Sequence, residues 1–180
     1  ALSGLIAFCT GRKIPLIVCT TGLSDEQAAS LKEAAKTIPV FRSGNMSLGI
    51  NLFMDLLRRA AKVLGDGYNV EIVERHHNRK VDAPSGTAYM LADAVKEGLA
   101  YTPEYVYERH SARRRREKTE IGIHSIRGGT IVGEHQVIFA GPDEIIEFNH
   151  TILSREVFAT GALKAVLLMA ETKTPGLYDM

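Results

Sequence analysis

The stretch that decides the fold of this chain reads Glu74-Arg75-His76-His77-Asn78-Arg79-Lys80-Val81-Asp82-Ala83-Pro84-Ser85-Gly86-Thr87. It follows a short apolar run, Val70 to Val73, that predicts a β-strand. It precedes residues 88–99, whose apolar positions recur at helical spacing. Residues 74–87 are therefore predicted to connect a strand to a helix, a position where functional side chains are often held on a rigid frame.

The second half of this stretch has the features of a helix N-terminus. Pro84 suits the first helical turn, and the hydroxyls of Ser85 and Thr87 can cap the unpaired amides there. Those amides and the helix dipole attract anions. This half is therefore predicted to bind a carboxylate or a phosphate.

The first half supplies two imidazoles and a lysine. Adjacent His76 and His77 cannot point the same way, so we expect them to have different roles, while Lys80 adds a compact cation. A histidine or a lysine is a suitable general acid near neutral pH. We interpret the whole stretch as proton donors beside an anion site; the alternative is a solvated basic loop that caps a helix.

The run His-His-x-x-Lys followed by Asp-Ala-Pro-Ser-Gly-Thr closely resembles the signature of the 4-hydroxy-tetrahydrodipicolinate reductase (dihydrodipicolinate reductase) family. The resemblance extends from about Ile14 to Met180 and includes residues 127–135. It implies a nicotinamide-dependent oxidoreductase that reduces 4-hydroxy-tetrahydrodipicolinate to tetrahydrodipicolinate in the diaminopimelate route to lysine. The implied substrate class is a six-membered cyclic imine with two carboxylates.

The resemblance also implies roles for individual residues. His76 is expected to be the catalytic acid, and Lys80 to assist it or to anchor a carboxylate. The residues expected to bind the substrate are His77, Gly86, Thr87 and Arg155. A cation as early in the last helix as Arg155 opposes the helix dipole, so it needs another reason to be there.

The N-terminal part of the chain has a strand-helix-strand order. Two short apolar runs, Pro15 to Cys19 and Ile38 to Phe41, flank a helix that starts at a capping box, Ser24 to Gln27. Ligands of doubly wound sheets bind at the carboxyl ends of the strands. The family resemblance implies that NADH or NADPH is contacted at these ends by Cys19, Thr20, Thr21, Ser43, Gly44, Asn45 and Met46. The alternative interpretation is that both segments are ordinary strand-end turns.

The start of the chain is unusual for a nucleotide-binding protein. No Gly-x-Gly-x-x-Gly run occurs in the 180 residues, the first residue is alanine, and residues 2–9 resemble the middle of a helix. We expect that the N-terminal part of a longer protein is missing and that nicotinamide binding is weakened or lost. The choice between NADH and NADPH stays open.

The predicted fold class is α/β. It combines the C-terminal part of a Rossmann-like nucleotide-binding domain with an α+β substrate domain that has a mixed or antiparallel sheet. Residues 1–46 are expected to be the remnant of the cofactor domain, 47–153 the substrate-binding and oligomerisation domain, and 154–180 a helix and tail that return to the cofactor domain. Within the second domain, residues 121–152 predict a three-stranded meander with a two-residue turn at Gly128-Gly129.

Composition narrows the class of protein. A 45% hydrophobic content supports a real core, and a net charge of +1 gives no general case for nucleic-acid or membrane binding. No apolar run reaches the roughly 20 residues of a membrane span, so we expect a soluble cytoplasmic protein. The cysteines, Cys9 and Cys19, are expected to be reduced and buried, and neither they nor the histidines form a metal pattern. The family resemblance implies a homotetramer built through the substrate-domain sheet.

Two other functions stay open at this point. One is a non-catalytic module that binds a dicarboxylate or drives oligomerisation, because the glycine-rich cofactor turn is absent. The other is an RNA-associated protein that uses the run Arg113 to Arg116. We prefer to interpret that run as a solvated loop, because it is short and no aromatic residues interleave with it.

Overall fold

The computed structural model describes residues 1–180. They form two compact units, one of residues 1–48 with 156–180 and the other of residues 49–155. In chain order the elements are α1 (Leu2–Arg12), β1 (Leu16–Val18), α2 (Asp25–Ala34), β2 (Pro39–Arg42), α3 (Leu48–Leu64), a 3-10 turn (Gly65–Gly67), β3 (Asn69–His76), α4 (Gly86–Gly98), β4 (Glu104–Val106), β5 (Glu120–Arg127), β6 (Gly133–Ala140), β7 (Ile145–Ile152), α5 (Glu156–Glu171) and β8 (Gly176–Tyr178).

The first unit is built on a parallel three-stranded sheet in the order β1-β2-β8. The predicted capping box is confirmed: the Ser24 hydroxyl accepts from the Gln27 amide at 3.2 Å, and the Gln27 side chain accepts from the Ser24 amide at 3.0 Å. Leu31 of α2 and Val40 of β2 are fully buried in the core between helices and sheet. This short parallel sheet with its helices confirms the Rossmann-like part of the predicted fold class.

The second unit is built on a mixed five-stranded sheet in the order β4-β5-β3-β6-β7. One face carries the main hydrophobic core, where side chains of α3 and α4 such as Leu57 and Leu91 pack against Ile72 and Phe139 of the sheet. On that face the buried residues of β3 alternate, with period two, from Val70 to His76. Helices cover only this face, so the sheet also has an open face.

The predicted meander is wrong in its first step. β5 and β6 are not neighbours, because β3 lies between them, parallel to β5 and antiparallel to β6. The connection through Gly128-Gly129 is therefore not a tight hairpin but a crossing over the end of β3. It is held there by hydrogen bonds from the Gly128 amide to the His76 carbonyl and from the Asn78 amide to the Gly129 carbonyl, at 2.9 and 3.2 Å.

Two smaller expectations also change. The strand predicted over residues 70–73 continues to His76, so Glu74 and His76 lie on a strand rather than in a loop. Cys9 is buried as expected, but Cys19 is exposed, because it lies just past the last residue of β1.

No helix in the chain is both long enough and apolar enough to cross a membrane. The cytoplasmic location expected from the sequence stays a prediction.

Candidate active site

The candidate site forms where β3 and β5 end side by side and α4 begins. In the parallel pairing of these strands, His76 lies opposite Arg127 and Glu74 opposite Ser125. The next strand, β6, places His135 opposite Glu74. The alternation of β3 turns the side chains of Glu74 and His76 to the covered face of the sheet, where both are buried.

Glu74 is the most highly connected group at the site. Its carboxylate accepts two hydrogen bonds from the Arg127 guanidinium, each of 2.7 Å, and one from the Ser85 amide at 3.1 Å. Burial alone would raise the pKa of Glu74, but hydrogen bonds from Arg127, Ser125 and His76 outweigh burial and lower that pKa to about 2. Glu74 is therefore ionised throughout the physiological range.

The His76 ring is held by that carboxylate. Its Nδ1 lies 2.6 Å from Glu74 Oε2, and because an ionised carboxylate can only accept, Nδ1 carries the hydrogen and donates it. The ring of His135 meets the His76 ring edge-on, with centroids 5.3 Å apart. A Cβ at Gly133 would lie 3.2 Å from His76 Nε2, so the glycine keeps the second nitrogen uncrowded.

Helix α4 begins at this site, as the sequence predicts. The Ser85 hydroxyl is the N-cap and accepts from the Ala88 amide at 3.1 Å. The same hydroxyl lies 3.3 Å from Nε2 of His135. Gly86, the first residue of the helix, is exposed, with no atom within 4 Å of where its Cβ would be.

The loop after β3 carries the other predicted residues. Lys80 pairs with Asp82 at 2.8 Å, and its side chain is only 20% exposed. Arg155 donates from Nη2 to Nε2 of His77 at 3.2 Å, which leaves Nδ1 of that ring to carry its hydrogen. Burial of the ring, followed by the positive charge of Arg155, lowers the pKa of His77. In the neutral ring, Nδ1 is therefore the hydrogen-bond donor that His77 can offer.

Three residues at the site were missed by sequence reasoning: Glu74, Arg127 and His135. Arg127 and Glu74 could have been paired only with knowledge of which strands are neighbours. His135 falls within the residues of the predicted meander, and the structure places it inside β6, where burial lowers its pKa to about 3. No group of three or more histidines, cysteines or acidic residues is placed to hold a metal ion.

In the first unit, the two predicted cofactor segments follow neighbouring parallel strands and so lie at one edge of the sheet. Cys19, Thr20 and Thr21 are exposed there, as is Gly44. The remaining three residues, Ser43, Asn45 and Met46, are buried.

The buried residues of the second segment shape its turn. The Ser43 hydroxyl donates to the Asn45 carbonyl at 2.9 Å, and the Asn45 side chain accepts from the Ser47 amide at 2.9 Å. Those two side chains therefore hold the backbone, while Gly44 faces outward.

The segment around the arginine run is largely exposed, in line with the solvated loop that we preferred, but Arg114 and Arg116 also form ion pairs with the sheet. Arg114 donates to Glu120 at 2.6 Å, and Arg116 donates to Glu71 at 2.9 Å and to the Val70 carbonyl at 3.0 Å. Both arginines tie the run to β3 and β5 because they neutralise carboxylates of the sheet. Arg113, Arg114 and Arg115 are exposed, and Arg116 is half-buried.

The fold and the site together define a two-unit α/β protein. One unit has a Rossmann-like parallel sheet, and the other has a polar site of imidazoles and cations beside a helix N-terminus.

Comparison with known proteins agrees with this class. Residues 1–46 match the family model described as dihydrodipicolinate reductase, N-terminus, and residues 49–180 match the model described as dihydrodipicolinate reductase, C-terminus. The chain therefore belongs to the dihydrodipicolinate reductase family, as its signature predicts.

Similar proteins carry the corresponding names. The 4-hydroxy-tetrahydrodipicolinate reductases of Caldanaerobacter subterraneus subsp. tengcongensis and Clostridium botulinum are 55% and 54% identical over 180 residues, which is 100% of this chain and 71% of each relative. A solved structure described as dipicolinate-bound dihydrodipicolinate reductase from Paenisporosarcina sp. TG-14 superposes with a TM-score of 0.78 at 25% identity. That match covers 99% of this chain and 67% of the other.

Proposed function

We propose that this protein reduces 4-hydroxy-tetrahydrodipicolinate to tetrahydrodipicolinate with NADH or NADPH, in the diaminopimelate route to lysine. The observation that carries the proposal is the buried His76, held by Glu74 at the carboxyl end of β3, next to the open N-terminus of α4. The names of the close relatives support the same reaction.

The two units would then divide the work. We propose that residues 1–48 with 156–180 serve the cofactor and that residues 49–155 bind the substrate and carry the subunit interface. The parallel sheet of the first unit and the polar site of the second support this division.

A cyclic dicarboxylate fits the donors of the second unit. One carboxylate would lie at the N-terminus of α4, against the amides of Gly86 and Thr87. The other would lie against Lys80 and Arg155, with a neutral hydrogen bond from Nδ1 of His77, a buried atom that has no partner within the chain. Lys80 can share its three donors between Asp82 and a substrate carboxylate.

The proton in this reaction comes from the protein. The 4-hydroxyl group of the substrate leaves as water, which leaves a C=C bond in the ring, and the nicotinamide, when bound, would supply a hydride to one carbon of that bond. The ring carbon that then carries the electron pair needs a proton, and His76 Nε2 is the donor that we propose. Lys80, which is mostly covered, assists by holding the carboxylate in place.

The exposed residues that follow β1 and β2 are the ones that we propose contact the nicotinamide cofactor. Cys19, Thr20, Thr21 and Gly44 share one edge of the parallel sheet, where a cofactor could contact backbone amides and hydroxyls. Ser43, Asn45 and Met46 would shape that edge from beneath. Cys19 stands where the family usually has glycine, and its side chain would crowd a nicotinamide ring that came close to the backbone there.

Self-association is the second part of the proposal. We infer a homotetramer built through the open face of the five-stranded sheet, where Ile126 and Ile145 are 45% and 65% exposed. Analytical ultracentrifugation tests this: the wild-type chain should sediment at four chain masses, and Ile126→Asp should sediment at fewer. A wild-type monomer at micromolar concentration would contradict the inference.

The function is tested by calorimetric titration with pyridine-2,6-dicarboxylate, a planar mimic of the substrate, with and without NADH and NADPH. We expect binding that Arg155→Gln weakens by about 10-fold or more, because a hydrogen bond to a charged group contributes roughly 1.5–3 kcal/mol. Arg79→Gln is the matched control, since Arg79 is an exposed arginine two residues after His77, the residue that Arg155 contacts. Its affinity should match that of the wild type.

The nucleotide decides between reductase and binding module. Tighter diacid binding in the presence of NADH or NADPH supports the reductase. Diacid binding that ignores both nucleotides supports the non-catalytic dicarboxylate module instead, and no diacid binding would contradict both functions.

A further inference from the structure

Behind the proposed acid, His76, lies an ion pair between Glu74 and Arg127. The Glu74 carboxylate, which His76 contacts with Nδ1, never faces the substrate, because its remaining acceptor positions are filled by Arg127 and the Ser85 amide. Arg127 also donates to the Asp82 carbonyl at 2.7 Å, which ties the end of β5 to the loop that carries Lys80. The carboxylate is therefore fixed from three sides.

This geometry matters because a neutral imidazole has two tautomers. Only one nitrogen can carry the hydrogen, and the hydrogen bond made by one nitrogen decides the state of the other. An ionised carboxylate 2.6 Å from Nδ1 accepts a hydrogen and offers none, so it favours hydrogen on Nδ1.

We propose that Glu74 is the positioning residue of the site: it fixes His76 in the Nδ1–H tautomer so that protons enter and leave only through Nε2, and Arg127 fixes Glu74. The catalytic consequence rests on the proposed function, whereas the tautomer can be measured without any reaction.

The proton balance follows from this arrangement. In the imidazolium form both nitrogens carry hydrogen. Nε2 gives its proton to the ring carbon of the substrate, whose electron pair forms the new C–H bond, and the N–H electron pair stays on Nε2. His76 is left neutral with its Nδ1–H still bonded to Glu74, and Nε2 takes its next proton from water. Glu74 remains ionised throughout and never receives the proton.

The same strand offers a matched control at Glu71. This residue is also a carboxylate that accepts from a histidine, His124 Nε2 at 2.8 Å, and from two arginines, Arg109 at 3.0 Å and Arg116 at 2.9 Å. It lies three residues before Glu74, so the alternation of β3 turns it to the open face, away from His76. Glu71→Gln therefore removes a similar charge from a similar network without touching the acid.

The experiment is nitrogen-15 NMR of the histidine rings in the full chain, with the His76 signals assigned from His76→Gln. At a pH where the ring is neutral, wild type and Glu71→Gln should both show hydrogen on Nδ1 of His76. Glu74→Gln should shift the ring toward the Nε2–H form. Only one terminal atom of glutamine can accept a hydrogen bond. When that oxygen accepts from Arg127, the NH₂ group faces Nδ1 and donates to it.

A wild-type His76 with hydrogen on Nε2, or a Glu74→Gln spectrum identical to that of wild type, would overturn the proposal. If Glu74→Gln does not fold, the double variant Glu74→Gln with Arg127→Met replaces it, because it removes both charges of the buried pair together. The double variant should show the same tautomer shift, because the Ser85 amide still donates to the glutamine oxygen and so leaves the side-chain NH₂ group facing Nδ1.

A kinetic reading separates positioning from binding. In a preparation with reductase activity, Glu74→Gln should lower kcat by about 10²-fold, at the lower end of the general-acid contribution, and leave the affinity for pyridine-2,6-dicarboxylate within about 2-fold. Loss of diacid affinity as large as the loss in kcat would mean that Glu74 only holds the fold. If no preparation reduces the substrate, the proposed function fails while the tautomer result still stands.

Discussion

At the scale of single residues, the site gives side chains of the same type different hydrogen-bond partners. His76 and His77 are neighbours in the chain, yet one donates to a buried carboxylate and the other accepts from Arg155. The pKa of His77 is lowered by burial and by nearby positive charge, so the residue suits neutral hydrogen bonding rather than acid catalysis. The division of roles expected from the adjacent pair thus has a structural cause, although the roles themselves stay predictions.

The first prediction concerns His76 and Lys80. His76→Gln should lower kcat by about 10²–10⁴-fold, the usual contribution of a general acid, with little change in affinity for the substrate. Lys80→Ala should lower both, because the ammonium group is expected to hold a carboxylate. Steady-state kinetics and diacid titration measure the two effects. Equal turnover in His76→Gln and wild type would remove His76 from the proposed role.

At the scale of elements, close contacts decide where segments lie. Helix α5 approaches the turn after β2 so closely that a Cβ at Gly161 would fall 1.7 Å from the backbone oxygen of Met46. A backbone atom cannot swing aside, so a side chain at this position forces the helix and the turn apart. The glycine is therefore what allows α5 to pack beside the second cofactor segment.

Replacement of that glycine is the second prediction. Gly161→Ala should destabilise the first unit by about 1–3 kcal/mol, the usual effect of overpacking. Gly4→Ala is the matched control, because Gly4 lies within α1 with no atom within 4 Å of where its Cβ would be. That change should be neutral or stabilise by up to about 1 kcal/mol. Urea unfolding followed by circular dichroism gives both values, and equal effects would contradict the packing argument.

The arginine run forms the other informative element. Arg116 donates to the side chains of Glu71 and Asn69 and to the Val70 carbonyl, so it joins the run to β3. Arg115, one residue earlier, is exposed. The run therefore contains both structural and solvent-facing arginines, and its composition alone does not distinguish them.

The third prediction uses that difference. Arg116→Gln should lower the free energy of unfolding by about 2 kcal/mol, because charge-assisted hydrogen bonds to half-buried acceptors are lost. Arg115→Gln should change it by less than about 0.5 kcal/mol, as is usual at exposed positions. Both values come from urea unfolding at low salt. A similar loss in the two variants would show that net charge, rather than the contacts of Arg116, holds the run.

At the scale of the whole molecule, buried titratable groups make stability depend on pH. Hydrogen bonds from Arg109 and Arg114 lower the pKa of Glu120 to about 2, because they outweigh the opposing effect of burial. The pKa of Glu74 is also lowered to about 2. A carboxyl with a depressed pKa stabilises the fold above its unfolded pKa, and that contribution is lost as the pH falls toward 2. Burial lowers the pKa of His135 to about 3. As the pH falls below about 6.5, His135 therefore becomes protonated in the unfolded chain but not in the folded chain, and the free energy of unfolding falls.

The fourth prediction is a decline in stability with two windows. Between about pH 6.5 and 5, His135 should reduce the free energy of unfolding by on the order of 1 kcal/mol per pH unit. Below about pH 5 the carboxylates should add a steeper loss that continues to about pH 2. His135→Asn should reduce the pH dependence of the free energy of unfolding in the first window, and Glu120→Gln should reduce it in the second. Urea unfolding across the pH range measures both, and a wild-type curve that is flat from pH 6.5 to 4 would contradict the prediction.

The sequence by itself determined the local structure, the fold class and the family. The capping box at Ser24, the N-cap at Ser85 and the apolar periodicities depend only on nearby residues, so they could be predicted from short windows of the chain. The signature from His76 to Thr87 carried the family assignment for the same reason, since it is one continuous run.

Only the tertiary structure decided which strands are neighbours, and the site depends on that. A local pattern favoured a hairpin at Gly128-Gly129, but β3 inserts between β5 and β6 and so brings Arg127 and His135 to opposite sides of Glu74. The fixed carboxylate behind His76 and the pairing of Arg116 with Glu71 were invisible in the sequence for one physical reason. Their partners lie on strands far apart in the chain, and pairing between distant strands is set by the packing of the whole sheet, not by any local propensity.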